Sequence, residues 1–242
     1  MSEGRLDSAR VLWALRGSLG PLCPEFHLRD GDGSFLDAKA AGTRAPWASG
    51  GLDYSGTFVD ALSEGRLSLV LPVLERNDGA LQGMLDFLGL PCAGCGMEAA
   101  ILADDHDFAR AVLGALGMKW SGAEGGPELL VGVVGDDGPE AGTAVGPSGA
   151  CVDDPELEDF CRRVFAGLDL GGWALVGAVR EEGELKWRSI QTSPDLGSDG
   201  LFQRSLRGRG LDLGSALDKA VGCAMRLHEA EAGLKVLYKD MI

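Results

Sequence analysis

The sequence predicts an α/β protein built in two halves, an amino-terminal α/β layer followed by an α+β half with an antiparallel sheet. Residues 67–74 are a nearly unbroken apolar run, the pattern of a parallel strand covered on both faces, and helical periodicity follows it. Residues 122–127 collapse to small residues, glutamate and proline, which marks a boundary and divides the chain into domains over 1–121 and 127–242. Residues 173–180 and 184–192 read as strands joined at Glu182-Gly183, a hairpin turn signal.

Taken in order, Leu6, Ala9, Leu12, Trp13 and Leu15 recur at helical spacing, so residues 4–16 are expected to open the chain as a helix stopped by Gly17. Residues 25–29 alternate like a strand and run into the turn residues Asp30-Gly31-Asp32-Gly33. Asp78 is placed to cap a helix that buries Leu81, Met84, Leu85 and Leu88. A helix over 105–116 is expected to bury Phe108, Ala109, Val112 and Leu116 and to end at Gly117. Beyond the boundary come a buried strand over 129–134 and a helix announced by Asp154-Pro155, with Leu157, Phe160, Cys161, Val164, Phe165 and Leu168 on one face. The hairpin follows, and a last helix over 213–230 buries Leu217, Ala220, Val221 and Ala224.

At 242 residues with 45% hydrophobic content the chain can bury a real core. Its formal charge of −15, from 37 acidic against 22 basic residues, repels nucleic-acid phosphates and anionic lipid heads, so neither is expected as a partner. No apolar stretch approaches the roughly 20 residues that span a bilayer, and the first residues lack the basic start of a signal peptide. A soluble chain of the cytoplasm or an organelle interior is expected. Six cysteines are too sparse for a disulfide scaffold and are read as reduced thiols.

Several stretches, read together, carry a resemblance. Val70-Leu71-Pro72-Val73-Leu74 is followed by Asp78-Gly79, by Gln82-Gly83-Met84-Leu85 and by Leu88-Gly89-Leu90-Pro91; Gly94-Cys95-Gly96 and Leu102-Ala103-Asp104-Asp105-His106 continue the series. Farther on stand Ile190-Gln191-Thr192-Ser193-Pro194 and the last helix, while at the start lie Ser2-Glu3 and residues 7–12. In this order the stretches resemble the D-Ala:D-Ala ligases of the ATP-grasp superfamily. The resemblance implies a pre-ATP-grasp-like amino-terminal layer and a truncated ATP-grasp carboxyl-terminal half. It also makes Ser2-Glu3 and residues 7–12 similar to the family's first helix, with Glu3 as the residue that would help hold a first D-alanine. In the family a strand precedes that helix, so a chain that begins with it is expected to be short by a strand, or to be processed or trimmed.

Such ligases activate a carboxylate as an acyl phosphate, which takes Mg²⁺ on hard oxygen ligands together with lysine and arginine. The resemblance puts the family's catalytic arginine at Leu175 and a metal-binding aspartate at Gly177. Its metal-binding glutamate and asparagine fall on Ser189 and Gln191, and an ATP-contacting lysine on His106. A subdomain with a phosphate lid is replaced by residues 120–127. The charges are gone at Leu175, Gly177 and Ser189, Gln191 keeps a carbonyl oxygen at a longer reach, and lysine is replaced by an imidazole that is mostly neutral near pH 7 at its ordinary pKa.

Other patterns read as structural. Cys92-Ala93-Gly94-Cys95 is a C-x-x-C with no second pair or histidine partner nearby in sequence, and is read as structural thiols. Gly94, Gly96 and Ala99 echo a dinucleotide fingerprint without its strand context. Asp30, Asp32 and Ser34 start like a calcium loop, but Phe35 and Ala41 stand where glycine and glutamate are needed. His27, His106 and His228 lack metal-ligand spacing, and Ser148 lies in no nucleophile elbow.

The expectation is therefore a non-catalytic ATP-grasp remnant serving as a structural or protein-binding subunit, with a protein partner and no cofactor. ATP and Mg²⁺ enter only in the alternative, a working D-alanine ligase with a relocated metal site or a partner chain. A third reading is a D-alanine sensor using Glu3.

Overall fold

In a computed structural model of the chain, residues 11–14, 27–29, 35–37, 69–72, 77–122, 128–135, 138–197 and 199–240 are described. Val11–Ala14 (β1) is a strand, not part of a helix. His27–Arg29 (β2) and Phe35–Asp37 (β3) form an antiparallel pair, as the alternation before Asp30 predicts. Leu69–Pro72 (β4) pairs in parallel with β1, from Val11↔Leu69 to Ala14↔Pro72. This corrects the helix expected over 4–16, and it supplies the amino-terminal strand that a helix-first chain would lack. A short run that is apolar at every position suits a buried strand as well as a helix, and the edge of β4 decides between them. Residues 11 and 12 therefore do not match the family's first helix, and Glu3 lies outside the described residues.

The backbone of β4 is bonded on its other side by residues 91–93, with Val70 N–H donating to Pro91 O and Ala93 N–H to Val70 O, each at 2.8 Å. Between these segments runs Ala80–Leu88 (α1), whose N-cap is Gly79 in the left-handed region at φ 84° rather than Asp78. Asp78 still helps, because its carboxylate accepts from Ala80 N–H at 3.1 Å. Met97–Asp104 (α2), which periodicity did not predict, leads into His106–Ala115 (α3). The Asp105 carboxylate caps α3 by accepting from Asp107 and Phe108 N–H at 2.9 and 3.2 Å. On α3 the buried stripe runs through Ala109 and Leu113, so Phe108 and Leu116 are 58% and 57% exposed instead of buried as expected.

The second half is a six-stranded antiparallel sheet. Its strands are Leu129–Val134 (β5), Glu140–Ala141 (β6), Ala144–Val145 (β7), Cys151–Val152 (β8), Trp173–Glu181 (β9) and Glu184–Gln191 (β10). They lie in the order β10-β9-β5-β7-β8, with β6 also on β5. Between β8 and β9 lies Pro155–Gly167 (α4), started by Asp154 and Pro155 as expected. Leu201–Gly208 (α5) and Leu213–Asp240 (α6) follow β10.

Strand β9 is buried from Trp173 through Val179. Its Ala174, Val176 and Ala178 share a core with Phe160, Val164 and Phe165 of α4 and with Ala99, Ala103 and Leu113 of α2 and α3. Trp173 and Leu175 belong to a second core, with Phe202 and Leu206 of α5, Ala216 and Leu217 of α6, and Leu69 and Leu71 of β4. The amino-terminal elements thus contribute to both cores. A buried polar link joins them as well, Asn77 Nδ2 donating to Thr192 Oγ1 at 3.1 Å. Residues 123–127, where the domain boundary is expected, lie outside the described residues.

Helix α5 is fastened to the sheet by one hydroxyl. Gly132 N–H donates to Ser205 Oγ at 2.8 Å, and Ser205 O–H donates to Thr143 O at 2.6 Å, both buried. A Cβ at Gly132 would stand 3.0 Å from the Phe202 ring, so any larger residue there would push on the ring. Ser205→Ala strands a buried donor and a buried acceptor, and urea unfolding is expected to show a loss of about 1–3 kcal/mol. Gly172→Ala is expected to cost more than about 1 kcal/mol, since Gly172 holds φ +75° and its Cβ would meet Gly94 Cα at 2.6 Å. Both losses appear as lowered denaturation midpoints.

Candidate functional site

The antiparallel register of β9 and β10 sets Ser189 opposite Gly177 and Gln191 opposite Leu175. Directly opposed residues share a face, and so do residues two apart on one strand. Leu175, Gly177, Ser189 and Gln191 therefore lie together on the face that α5 covers. Sequence reasoning could group them only through the resemblance; the register does so by geometry. His106 is not brought to this group. Its ring centroid lies 6.4 Å from those of Trp120 and Trp187. Trp187 points into the core on the opposite face of the sheet, opposite Ala178. A bulge between Trp187 and Ser189 separates the two environments.

The chemistry of the shared face is mixed. Leu175 is buried in the core that contains Phe202, so the position expected to match the family's arginine is packed in hydrocarbon. Gly177 is not open space, because a Cβ there would collide with Glu128 Oε1 and Ser189 Oγ. Glu128 stands one residue before β5, with its carboxylate accepting from the Ser189 hydroxyl over Gly177. No motif marks Glu128. Strand alternation could have found it, since Glu128 is two residues from Leu130, which pairs with Gly177. The face thus keeps a carboxylate, a hydroxyl and the amide of Gln191.

That donor set does not fit a pair of magnesium ions. Octahedral Mg²⁺ takes several oxygens, usually with one or two carboxylates per ion, whereas Glu128 is already bonded to Ser189. Among the described residues no group of three or more His, Cys, Asp and Glu side chains is placed to hold a metal ion. Nearby cations are engaged as well. Lys119 pairs with Glu184 at 2.6 Å, Lys186 with Glu181 at 2.8 Å, and Arg110 with Asp107 at 2.9 Å while lying 5.3 Å over the Trp120 ring. The Lys186 ammonium, with the Ser121 hydroxyl next, holds the Glu181 carboxyl below its usual range. Lys119 does the same for Glu184.

The C-x-x-C pair is chemically quiet. Burial is the main reason that the Cys92 thiol is raised well above its ordinary value and that of Cys95 is pushed up to about 11. Cys92, Cys95, Cys151, Cys161 and Cys223 are free thiols, and Cys23 lies outside the described residues.

No family model matches the chain. A D-alanine–D-alanine ligase of Bifidobacterium longum subsp. infantis is 41% identical over 59 residues, which are 23% of this chain and 15% of the ligase. The structure of the D-alanine–D-alanine ligase from Coxiella burnetii superimposes with a TM-score of 0.65 at 17% identity, over 72% of this chain and 73% of that one. A Bacillus anthracis D-alanine–D-alanine ligase complexed with ATP gives 0.62 at 14% identity, over 71% and 84%. The chain resembles the D-alanine–D-alanine ligases in sequence and in fold. The sequence match spans about 15% of the length of the curated relative, so the likeness over the rest is one of architecture. In the superimposed part it has the antiparallel carboxyl-terminal sheet of an ATP-grasp fold with an α/β layer before it. No helix among the described residues is long and apolar enough to cross a membrane.

Gly177→Asp, which writes the ligase-like aspartate back into β9, is expected to lower the denaturation midpoint because Glu128 occupies the space. Glu128→Ala in the same chain should restore it, a coupling that a double-mutant cycle reads directly. A pH dependence follows from the ion pairs. Groups whose pKa is lowered by folding contribute stability in full above the unfolded value, about 4.3 for glutamate, and lose it as pH falls through the folded value. Unfolding measured on the acid side should therefore show this loss, and Lys186→Met should flatten the share due to Glu181. Iodoacetamide at mildly alkaline pH is expected to modify exposed Cys151 well before Cys95 or Cys161, as peptide mapping would show.

Proposed function

We propose that this chain is a non-catalytic relative of the D-alanine–D-alanine ligases that serves as a structural or protein-binding subunit. The observation that carries the reading is the face of β9 and β10. Leu175 is sealed against the apolar core under α5, and the space at Gly177 is filled by a Glu128 carboxylate bonded to Ser189. A phosphoryl-transfer centre needs cations and metal-holding carboxylates aimed at the developing charge, and these positions supply hydrocarbon and a satisfied hydrogen bond instead. Exposed apolar side chains are in keeping with a protein partner: Phe87 on α1 is 89% exposed, and Phe108 and Leu116, near either end of α3, are more than half exposed.

The ligase reading has one observation on its side, which is that Glu128 brings a carboxylate to the face where the family's metal ligands fall. Isothermal calorimetry with ATP and Mg²⁺ decides between the two. No micromolar binding is expected, and micromolar binding would overturn the non-catalytic reading. Phosphate release that depends on added D-alanine would establish the ligase, with Glu128→Gln abolishing it. A thermal shift with D-alanine but not L-alanine, in the absence of nucleotide binding, would support a sensor instead.

A further inference from the structure

A second site lies away from the sheet face just described. A half-open cavity of about 380 Å³ is lined by α1, the start of α2, residues 168–171 and the middle of α6. Gln82 lines it and is 1% exposed, yet neither its amide nitrogen nor its carbonyl oxygen has a hydrogen-bond partner among the described residues. A buried carboxamide with both ends unmet is uncommon, because burial removes the water that would otherwise satisfy it. The cavity wall also carries Glu98, in the first turn of α2, and Asp169, whose carboxylates form no ion pair with any described residue. Asp86 adds a third acidic group and His228 the basic one. Asp169 is held at φ 52°, in the left-handed region that aspartate tolerates better than most side chains. Its loop is fixed from behind, where Gly172 packs on Gly94.

We propose that this cavity binds a small molecule carrying both a protonated amine and a carboxamide, such as an amino-acid amide or the amino end of a short peptide. A carboxamide is its own complement. In the chain alone both amide ends are shielded, so the carboxamide has to swing toward the cavity as the ligand enters. The ligand's N–H₂ then donates to the Gln82 carbonyl while its C=O accepts from the Gln82 amide, and both unmet atoms are satisfied by one group. The ammonium is drawn by the Glu98 and Asp169 carboxylates. Leu102 and Leu170 leave room for a short aliphatic side chain rather than another charge. The size fits a small ligand, since pockets of this kind run from about 300 to 1,000 Å³.

Glycinamide is the probe, added to the full chain labelled with ¹⁵N and followed by side-chain amide and backbone shifts. Saturable movement of the Gln82 side-chain resonance is expected at millimolar concentration, with N-acetylglycinamide and glycine each at least about tenfold weaker because they lack the ammonium or the carboxamide. Gln82→Leu, which keeps the volume and removes the unmet polar ends, should abolish binding with its circular dichroism unchanged and its melting temperature unchanged or raised. If that variant does not fold, Asp169→Asn serves in its place and should weaken glycinamide about tenfold while leaving N-acetylglycinamide unaffected. Absence of saturable shifts with glycinamide, or equal binding of all three probes, overturns the proposal. Either result is independent of whether ATP binds.

Discussion

The burial of β9 on both faces is the constraint around which the rest of the molecule is arranged. From Trp173 to Val179 every residue is shielded from water, so both sides of the strand must be covered. Covering the even positions takes α4 together with α2 and α3, and covering the odd positions takes α5, α6 and β4. Apolar burial stabilises by about 25 cal/mol per Å², and helices that belong to such a core cannot be lifted off without exposing much of it. The amino-terminal layer is consequently built into the same cores as the sheet, with the buried Asn77–Thr192 bond as a polar fastening.

The same burial shapes the chemistry of the face that matches the ligases. A charged arginine at Leu175 would have to be desolvated among Phe202, Leu206 and Trp173, which is costly without a paired anion. At Gly177 the missing side chain lets Glu128 and Ser189 close over the backbone. These features support one another, since leucine completes an apolar core and the glutamate-to-serine bond satisfies the remaining polar groups. His106 belongs to a different environment, packed near Trp120 and Trp187 on the other side of the sheet edge.

The polar groups that the fold leaves unsatisfied are therefore more informative than those it pairs. Around β10 Lys119, Lys186 and Arg188 each have a carboxylate. Among the described residues Gln82, by contrast, is buried with both amide ends unmet, and the Glu98 and Asp169 carboxylates that line the same cavity make no ion pair. Chemistry retained for binding is expected where a protein tolerates such a cost.

By itself the sequence determined the long buried strands, the Asp154-Pro155 and Asp105 helix starts, the hairpin at Glu182-Gly183 and the order of the ligase-like stretches, because each rests on local periodicity or on side chains that bond their own backbone. Tertiary structure alone decided three things. Val11–Ala14 became a strand because the edge of β4 was available to an apolar run with no preference of its own. Phe108 turned outward because the α3 stripe that meets the core passes through Ala109 and Leu113. Glu128 came to stand over Gly177, and His106 away from it, because strand register places residues distant in sequence on one face or on opposite ones, and register is fixed by pairing across the whole sheet rather than by any local pattern.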